Sequence, residues 1–410
     1  MPRFLTADSM REARHGASGG RARRVAEGRA ATTRIAIDIR VTQGGYPGIG
    51  RATTGLVEAL LRRDTTHRLL LLHDTDRRLP ASLAATLRAP HALLPIRTAL
   101  RSARDQFELP LRLRQARADL YHSPYYAMAL RPGCPYLLQV FDLIPERYPR
   151  YWRWPQPPVI RRWLRASAKG AALIVAPSEA TATDLRALYG IPAARIRTIP
   201  LAVDPRWLDS AVVPRPVAAP HSTRPYLLCV CTNKPHKNLV RLIEAFGSVE
   251  EWHAPAPDLV LAGGWDPRYP EAQRAADAYA STAGPARGGG AIRFVHAPED
   301  AALADLYHSA LGFVFPSEYE GFGLPVLEAM SIGLPVAASG TPAVAEVAGD
   351  TCLRFDPLDT ASIAAAIRFL AGDPALRARL GAAGRARAAG FSWQEAARLT
   401  LAAYEEVLCG

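Results

Sequence analysis

Cysteine is scarce in this chain of 410 residues. The five present, Cys134, Cys229, Cys231, Cys352 and Cys409, are scattered and form no C-x-x-C pair. That excludes a disulfide framework and a structural zinc site. No stretch approaches the roughly 18–20 apolar residues that span a bilayer. The first residues, Met1-Pro-Arg-Phe-Leu5, lack the apolar core of a secretion signal, so the expected location is the cytoplasm. No fixed-period repeat is present, which excludes a solenoid. Charged residues make up 21% and hydrophobic residues 49%, a globular rather than disordered balance. The length exceeds what one core organises and suits two domains.

Acidic residues are outnumbered, and the net charge is +12. Such an excess suits nucleic acid, an anionic membrane face or a phosphorylated substrate. Part of it sits in residues 1–33, rich in Arg, Ala and Gly, which read as a mobile basic tail. A transit peptide has a similar composition.

The first strand pattern is Arg34-Ile-Ala-Ile-Asp-Ile39, followed by the glycine turn Gly44-Gly-Tyr-Pro-Gly-Ile-Gly50 and a helical stretch from about Thr53 to Arg63. Short apolar runs recur at 68–72, 119–122, 136–140, 173–176 and 196–200, separated by helical patterns. Pro- and Ala-rich sequence at 209–224 reads as a linker. The alternation then resumes at 226–231, 259–262, 292–295, 312–315, 335–338 and 352–355. Strands alternating with helices predict parallel sheets. The expected class is α/β, with two doubly wound, Rossmann-like domains at 34–208 and 225–390. A terminal helix within 391–410 could pack back on the first domain. Ligands of such sheets bind at the carboxyl ends of strands, so facing domains would share a central cleft.

Phe315-Pro-Ser-Glu-Tyr-Glu-Gly-Phe-Gly-Leu-Pro-Val-Leu-Glu328 carries the densest chemical signal. A strand enters a polar turn and then a helix, with Pro325 at its first turn and Gly333 just past its end. Glu320 falls in the turn and Glu328 in the helix. Free amides at Phe322, Gly323 and Leu324 would open toward an anion. Two carboxylates there suit sugar hydroxyls; equally, they could only favour a helix dipole. Cys229-Val-Cys-Thr-Asn-Lys-Pro-His-Lys-Asn-Leu239 is the second signal. Lys234 and Lys237 stand before a helix for which Asn238 is a candidate N-cap. They form either a phosphate cradle or two solvated lysines. Gly48-Ile-Gly50 is half a dinucleotide fingerprint, and the missing spacing argues against a dinucleotide oxidoreductase. His122 and Asp142 both end strands near the expected cleft. A structural role for His122 fits its position as well as a catalytic one. Ser178 reads as an N-cap, and Cys229 and Cys231 as buried strand residues.

In these residues the chain resembles the retaining glycosyltransferases of family 4, the glycogen-synthase-like group of GT-B fold. The carriers are Glu320-x7-Glu328 with its flanking Phe-Gly-Leu-Pro, Pro235-His-Lys-Asn-Leu239, Ile199-Pro-Leu-Ala-Val-Asp204, Gly48-Ile-Gly-Arg51, Ser178–Leu185 and Phe391-Ser-Trp393. The nearest flavour is the mannosyltransferase-like group building bacterial O-antigen, capsule and exopolysaccharide. The resemblance implies a nucleoside-diphosphate sugar donor, a glycan or lipid-linked acceptor, no metal and no other cofactor. It places Glu320 on donor-sugar hydroxyls, Glu328 on the ribose, and Lys237 with Lys234 on the diphosphate. Phe322, Gly323 and Leu324 would offer backbone contacts, and Gly48 and Gly50 a close approach to phosphate or acceptor. His122 would lie near the transferred sugar, and Arg51 and Asp142 on the acceptor side. Two departures stand out: a side chain at Cys231 where the family has glycine nearby, and Phe141 where a histidine often precedes the aspartate.

Arginines and tryptophans alternate in Glu146-Arg-Tyr-Pro-Arg-Tyr-Trp-Arg-Trp154 and Ile160-Arg-Arg-Trp-Leu-Arg165. Trp152, Trp154, Arg161, Arg162, Trp163 and Arg165 suit an anionic membrane face; an ordinary basic helix with a buried Trp is the plainer alternative. Nucleic acid rests on charge alone and is not expected. Rival readings are a non-catalytic sugar-nucleotide-binding subunit and a glycosidase using Glu320 and Glu328. The intact Glu320, Glu328 and Lys237 speak against the first, and a glycosidase has no use for a phosphate loop.

Overall fold

Ile35 and Ile37 of β1 (Arg34–Asp38) join one apolar layer while Ala36 between them joins the other. Both faces of the strand are covered, as parallel strands require. In a computed structural model of the chain the described residues are 32–410 apart from 45–46, 64–65, 101, 127, 152–155, 204–223, 250, 253–255 and 283–288. The basic tail up to residue 31, Trp152, Trp154, Asp204 and the linker up to residue 223 thus lie outside the described residues.

The first sheet has the order β3-β2-β1-β4-β5-β6-β7 and is wholly parallel. Its other strands are β2 (Arg68–Asp74), β3 (Ala92–Ile96), β4 (Leu120–Ser123), β5 (Tyr136–Gln139), β6 (Leu173–Ala176) and β7 (Ile196–Thr198). The second sheet, β10-β9-β8-β11-β12-β13, is parallel too. It comprises β8 (Tyr226–Val230), β9 (Asp258–Gly263), β10 (Ile292–His296), β11 (Gly312–Phe315), β12 (Val336–Ser339) and β13 (Leu353–Phe355). Each sheet is sandwiched between two helical layers. This is the doubly wound arrangement that alternating elements predict.

The sequence pattern misses β3, whose run is broken by Pro95. The strand lies at the sheet edge, where a missing N–H is tolerated. It also starts the first helix too late. That helix covers Pro47–Arg62, so Gly48 and Gly50 lie in its first turn rather than in a loop. The final helix, Trp393–Cys409, crosses back onto the first domain, where Ala396, Ala397, Ala403 and Tyr404 pack with Ile35, Leu60 and Leu120.

Candidate active site between the two domains

Ser178 accepts a hydrogen bond from the Thr181 N–H at 3.1 Å and so caps the Glu179–Tyr189 helix. It also donates to the Gly321 carbonyl at 2.6 Å, joining the first domain to the turn that holds Glu320. A Cβ at Gly321 would lie 1.8 Å from the Phe141 carbonyl oxygen. Only glycine allows this approach. Glu346 of the second domain accepts from the Glu179 and Ala180 amides, both at 2.7 Å. There it meets the positive end of the helix.

The acidic turn and the lysine loop meet directly. Lys237 Nζ donates to Glu320 Oε1 at 2.6 Å, with both side chains largely buried. Burial works to lower the Lys237 pKa, but the Glu320 carboxylate outweighs it and the pKa is raised. Burial lowers the pKa of Lys234, and Asp142 acts against that. Burial raises Asp142, which the Ile144 amide and Lys237 pull back. Lys234, Lys237, Glu320 and Asp142 therefore share one electrostatic environment, three from the second domain and one from the first.

Asn238 corrects the capping expectation. Its side chain makes no cap bond; the residue sits at φ 60°, and its amide donates to the Pro316 and Pro357 carbonyls at 3.1 and 2.7 Å. It ties the loop to the end of β11 instead.

Gly323, at φ 109°, turns the chain into the Leu324–Ser331 helix. Glu328 on this helix is buried, accepts from Tyr307 Oη at 2.8 Å, and lies 3.4 Å from Arg51 of the first domain. Its carboxyl is raised by burial, against the pull of Arg51 and Tyr307. A cavity of about 770 Å³ lined by Gly55, Arg62, Leu327, Arg385 and Trp393 includes the Phe391-Ser-Trp393 motif but none of the catalytic, donor-side or acceptor-side candidates.

His122 stands apart from the lysine–glutamate pair. It is 2% exposed, and its Nδ1 lies 2.6 Å from the Tyr404 hydroxyl of the final helix. Burial lowers its pKa to about 4, with Asp38 and Gln139 acting in the opposite sense. Its hydrogen-bond partner belongs to the returning helix, and the groups that act on it, Asp38 and Gln139, belong to the first domain.

The aromatic–arginine segment also departs from expectation. Trp163 is partly buried and donates to the Met128 carbonyl at 2.9 Å. Arg161 pairs with Glu146 at 2.5 Å, and Arg165 lies over the Tyr189 ring. Arg162 is exposed. Tyr151 turns inward to 5% exposure. Cys229 is buried in β8, and Cys231 just beyond it is partly buried.

Residues 46–207 match the family described as Glycosyltransferase Family 4, and residues 215–387 match Glycosyl transferases group 1. The chain is a glycosyltransferase that joins a Glycosyltransferase Family 4 domain to a Glycosyl transferases group 1 domain. This glycosyltransferase is 29% identical over 382 residues to O-antigen chain mannosyltransferase B of Escherichia coli, covering 88% of this chain and 97% of that one. It is also 29% identical over 270 residues to an MMP alpha-(1->4)-mannosyltransferase of Mycolicibacterium hassiacum, covering 62% of this chain and 61% of that one. A solved glycosyltransferase from Rickettsia africae superposes with TM-score 0.64 at 15% identity, over 92% of this chain and 99% of its own. Anabaena HepE in complex with UDP-glucose gives TM-score 0.67 at 15% identity, over 91% and 99%. These likenesses give the glycosyltransferase the GT-B fold. Among the described residues no helix is long and apolar enough to cross a membrane.

Proposed function

We propose that this glycosyltransferase moves a hexose, mannose in the first instance, from a nucleoside-diphosphate sugar to a glycan or lipid-linked saccharide, with retention of anomeric configuration, in O-antigen or related surface-polysaccharide synthesis. One observation carries the reading: Lys237 and Glu320 meet at 2.6 Å beside Lys234 and Asp142 where the domains face each other. The similarity to the E. coli O-antigen enzyme along nearly its whole length supports the mannosyl and O-antigen assignments.

Breaking the glycosidic bond puts negative charge on the departing diphosphate. Lys237, Lys234 and the amides at Phe322, Gly323 and Leu324 supply fixed positive potential for it. Glu320, its carboxylate held by Lys237, would take donor-sugar hydroxyls. Glu328 would take the ribose, exchanging its contact with Arg51. Gly48 and Gly50, in the first turn of their helix, would let that turn approach phosphate or acceptor closely. His122 would lie toward the transferred sugar, and Arg51 and Asp142 would face the acceptor. The acceptor hydroxyl attacks the face that the phosphate leaves, and its proton passes to the departing phosphate oxygen. Domain contact excludes water and favours transfer over hydrolysis. No metal enters this scheme, so EDTA should leave turnover unchanged.

Peripheral membrane contact belongs to the same reading, on an amended surface. The Asp105–Ala116 and Gln156–Gly170 helices cover the same sheet face. Their outer sides present Phe107 at 79% and Val159 at 58% exposure, with Arg162 beside them.

Thermal melts against UDP, GDP, dTDP and ADP test the donor site. A ligand at about 100 times its Kd adds roughly 2.7 kcal/mol, so one nucleotide should stand out. Flat melts for all four would reject the assignment. Anomer analysis of the product by NMR tests retention.

A further inference from the structure

Tyr151 belongs to the first domain, in the turn Pro149–Tyr151 after the Ile144–Arg147 helix. Its hydroxyl accepts the His236 backbone N–H at 2.8 Å and lies 3.0 Å from His236 Nδ1. Its own carbonyl accepts from Arg268 at 3.3 Å. The Tyr151 ring is stacked on Tyr148 at 5.1 Å, with His236 at 5.4 Å and Tyr269 at 5.7 Å. Tyr151 and His236 are thus fully packed from both domains.

His236 sits between Lys234 and Lys237 in the Pro235–Lys237 turn. Burial and the two lysines lower its pKa to about 2, so the imidazole is neutral. The Tyr151 hydroxyl therefore meets His236 twice, accepting from its backbone N–H and sharing a second hydrogen bond with the ring nitrogen Nδ1. The same histidine's carbonyl accepts from Glu318 N–H at 2.8 Å and Ser317 Oγ at 3.2 Å, on the segment leading to Glu320. A continuous path runs from Tyr151 through His236 to both members of the Lys237–Glu320 pair.

We propose that Tyr151 is a positioning residue for the leaving-group site: seating the first domain's turn on His236 fixes the lysine turn against the acidic turn, so domain contact and diphosphate binding are coupled. This rests on the reading that Lys237 holds the diphosphate. Nothing in the sequence pattern marks it, since that pattern assigns the Tyr151 segment to a surface.

The test is a double-mutant cycle in the full chain. The probe is whichever of UDP, GDP, dTDP and ADP stabilises the wild type most. Tyr151→Phe keeps the ring stack and removes only the hydroxyl. Calorimetry should show nucleotide affinity falling roughly tenfold, with the fold retained by circular dichroism. In the Lys237→Met background, adding Tyr151→Phe should cost no further affinity. An equal loss in both backgrounds overturns the proposal, as does unchanged affinity in Tyr151→Phe alone. If Lys237→Met itself binds the nucleotide like wild type, the diphosphate reading fails instead. His236→Gln removes the Nδ1 contact while keeping the backbone N–H, and should give part of the Tyr151→Phe loss; no loss there counts against the path.

Discussion

Lys237 and Glu320 stand 2.6 Å apart although 83 residues separate them in the chain. Each neutralises the other before any donor arrives. On the proposed reading, a bound diphosphate and sugar would share groups already held in place, which is the preorganisation that electrostatic catalysis needs.

Replacing Lys237 by methionine removes the cation and leaves a largely buried carboxylate unpaired. The expected loss in kcat is on the order of 10²–10³-fold, or about 3–4 kcal/mol, with a lower Tm. Adding Glu320→Gln should restore part of the Tm and none of the activity. Steady-state kinetics and melts on the two variants check both halves.

Glu328 separates stability from function. Its folded-state carboxyl is raised by burial, so the protonated form is favoured in the fold. Its contribution to stability therefore declines as pH rises from its unfolded value through its folded one. Glu328→Gln removes that cost and keeps an acceptor for Tyr307. At neutral pH the variant should melt no lower than wild type yet bind nucleotide about tenfold more weakly. A Glu328→Gln protein with wild-type affinity would take the ribose role away.

His122 gives a pH signature of known sign. Burial holds it near 4, against about 6.5 unfolded. Its contribution is complete above pH 6.5 and is lost as pH falls toward 4, on the order of 3 kcal/mol in all. His236 acts in the same direction. Melts at about pH 7.5 and pH 5 should differ more for wild type than for His122→Gln, which cannot titrate.

Gly321→Ala places a methyl where the Phe141 carbonyl already lies, 1.8 Å away. Backbone meets backbone, so no side-chain rotation relieves it. The Ser178 bond to Gly321 should be lost, and the domains should part. Small-angle scattering should show a larger radius of gyration, with transferase activity strongly reduced and helix content retained.

Much of this protein was legible in its sequence because the information is local. Alternating apolar runs and helical stretches define parallel α/β domains, and Pro325 and Ser178 mark helix starts and Gly333 a helix end through backbone geometry and capping alone. The spacing of Glu320 and Glu328 is likewise fixed within one turn and one helix. The tertiary structure decided what depends on contacts between distant segments. It turned Trp163 and Tyr151 inward, gave Asn238 two carbonyls in place of a cap, and set His122 against Tyr404. It also set Arg51 beside Glu328. None of these has a spacing rule, because each depends on how segments far apart in the chain pack, within a domain or between the two, where shape and burial choose the partners.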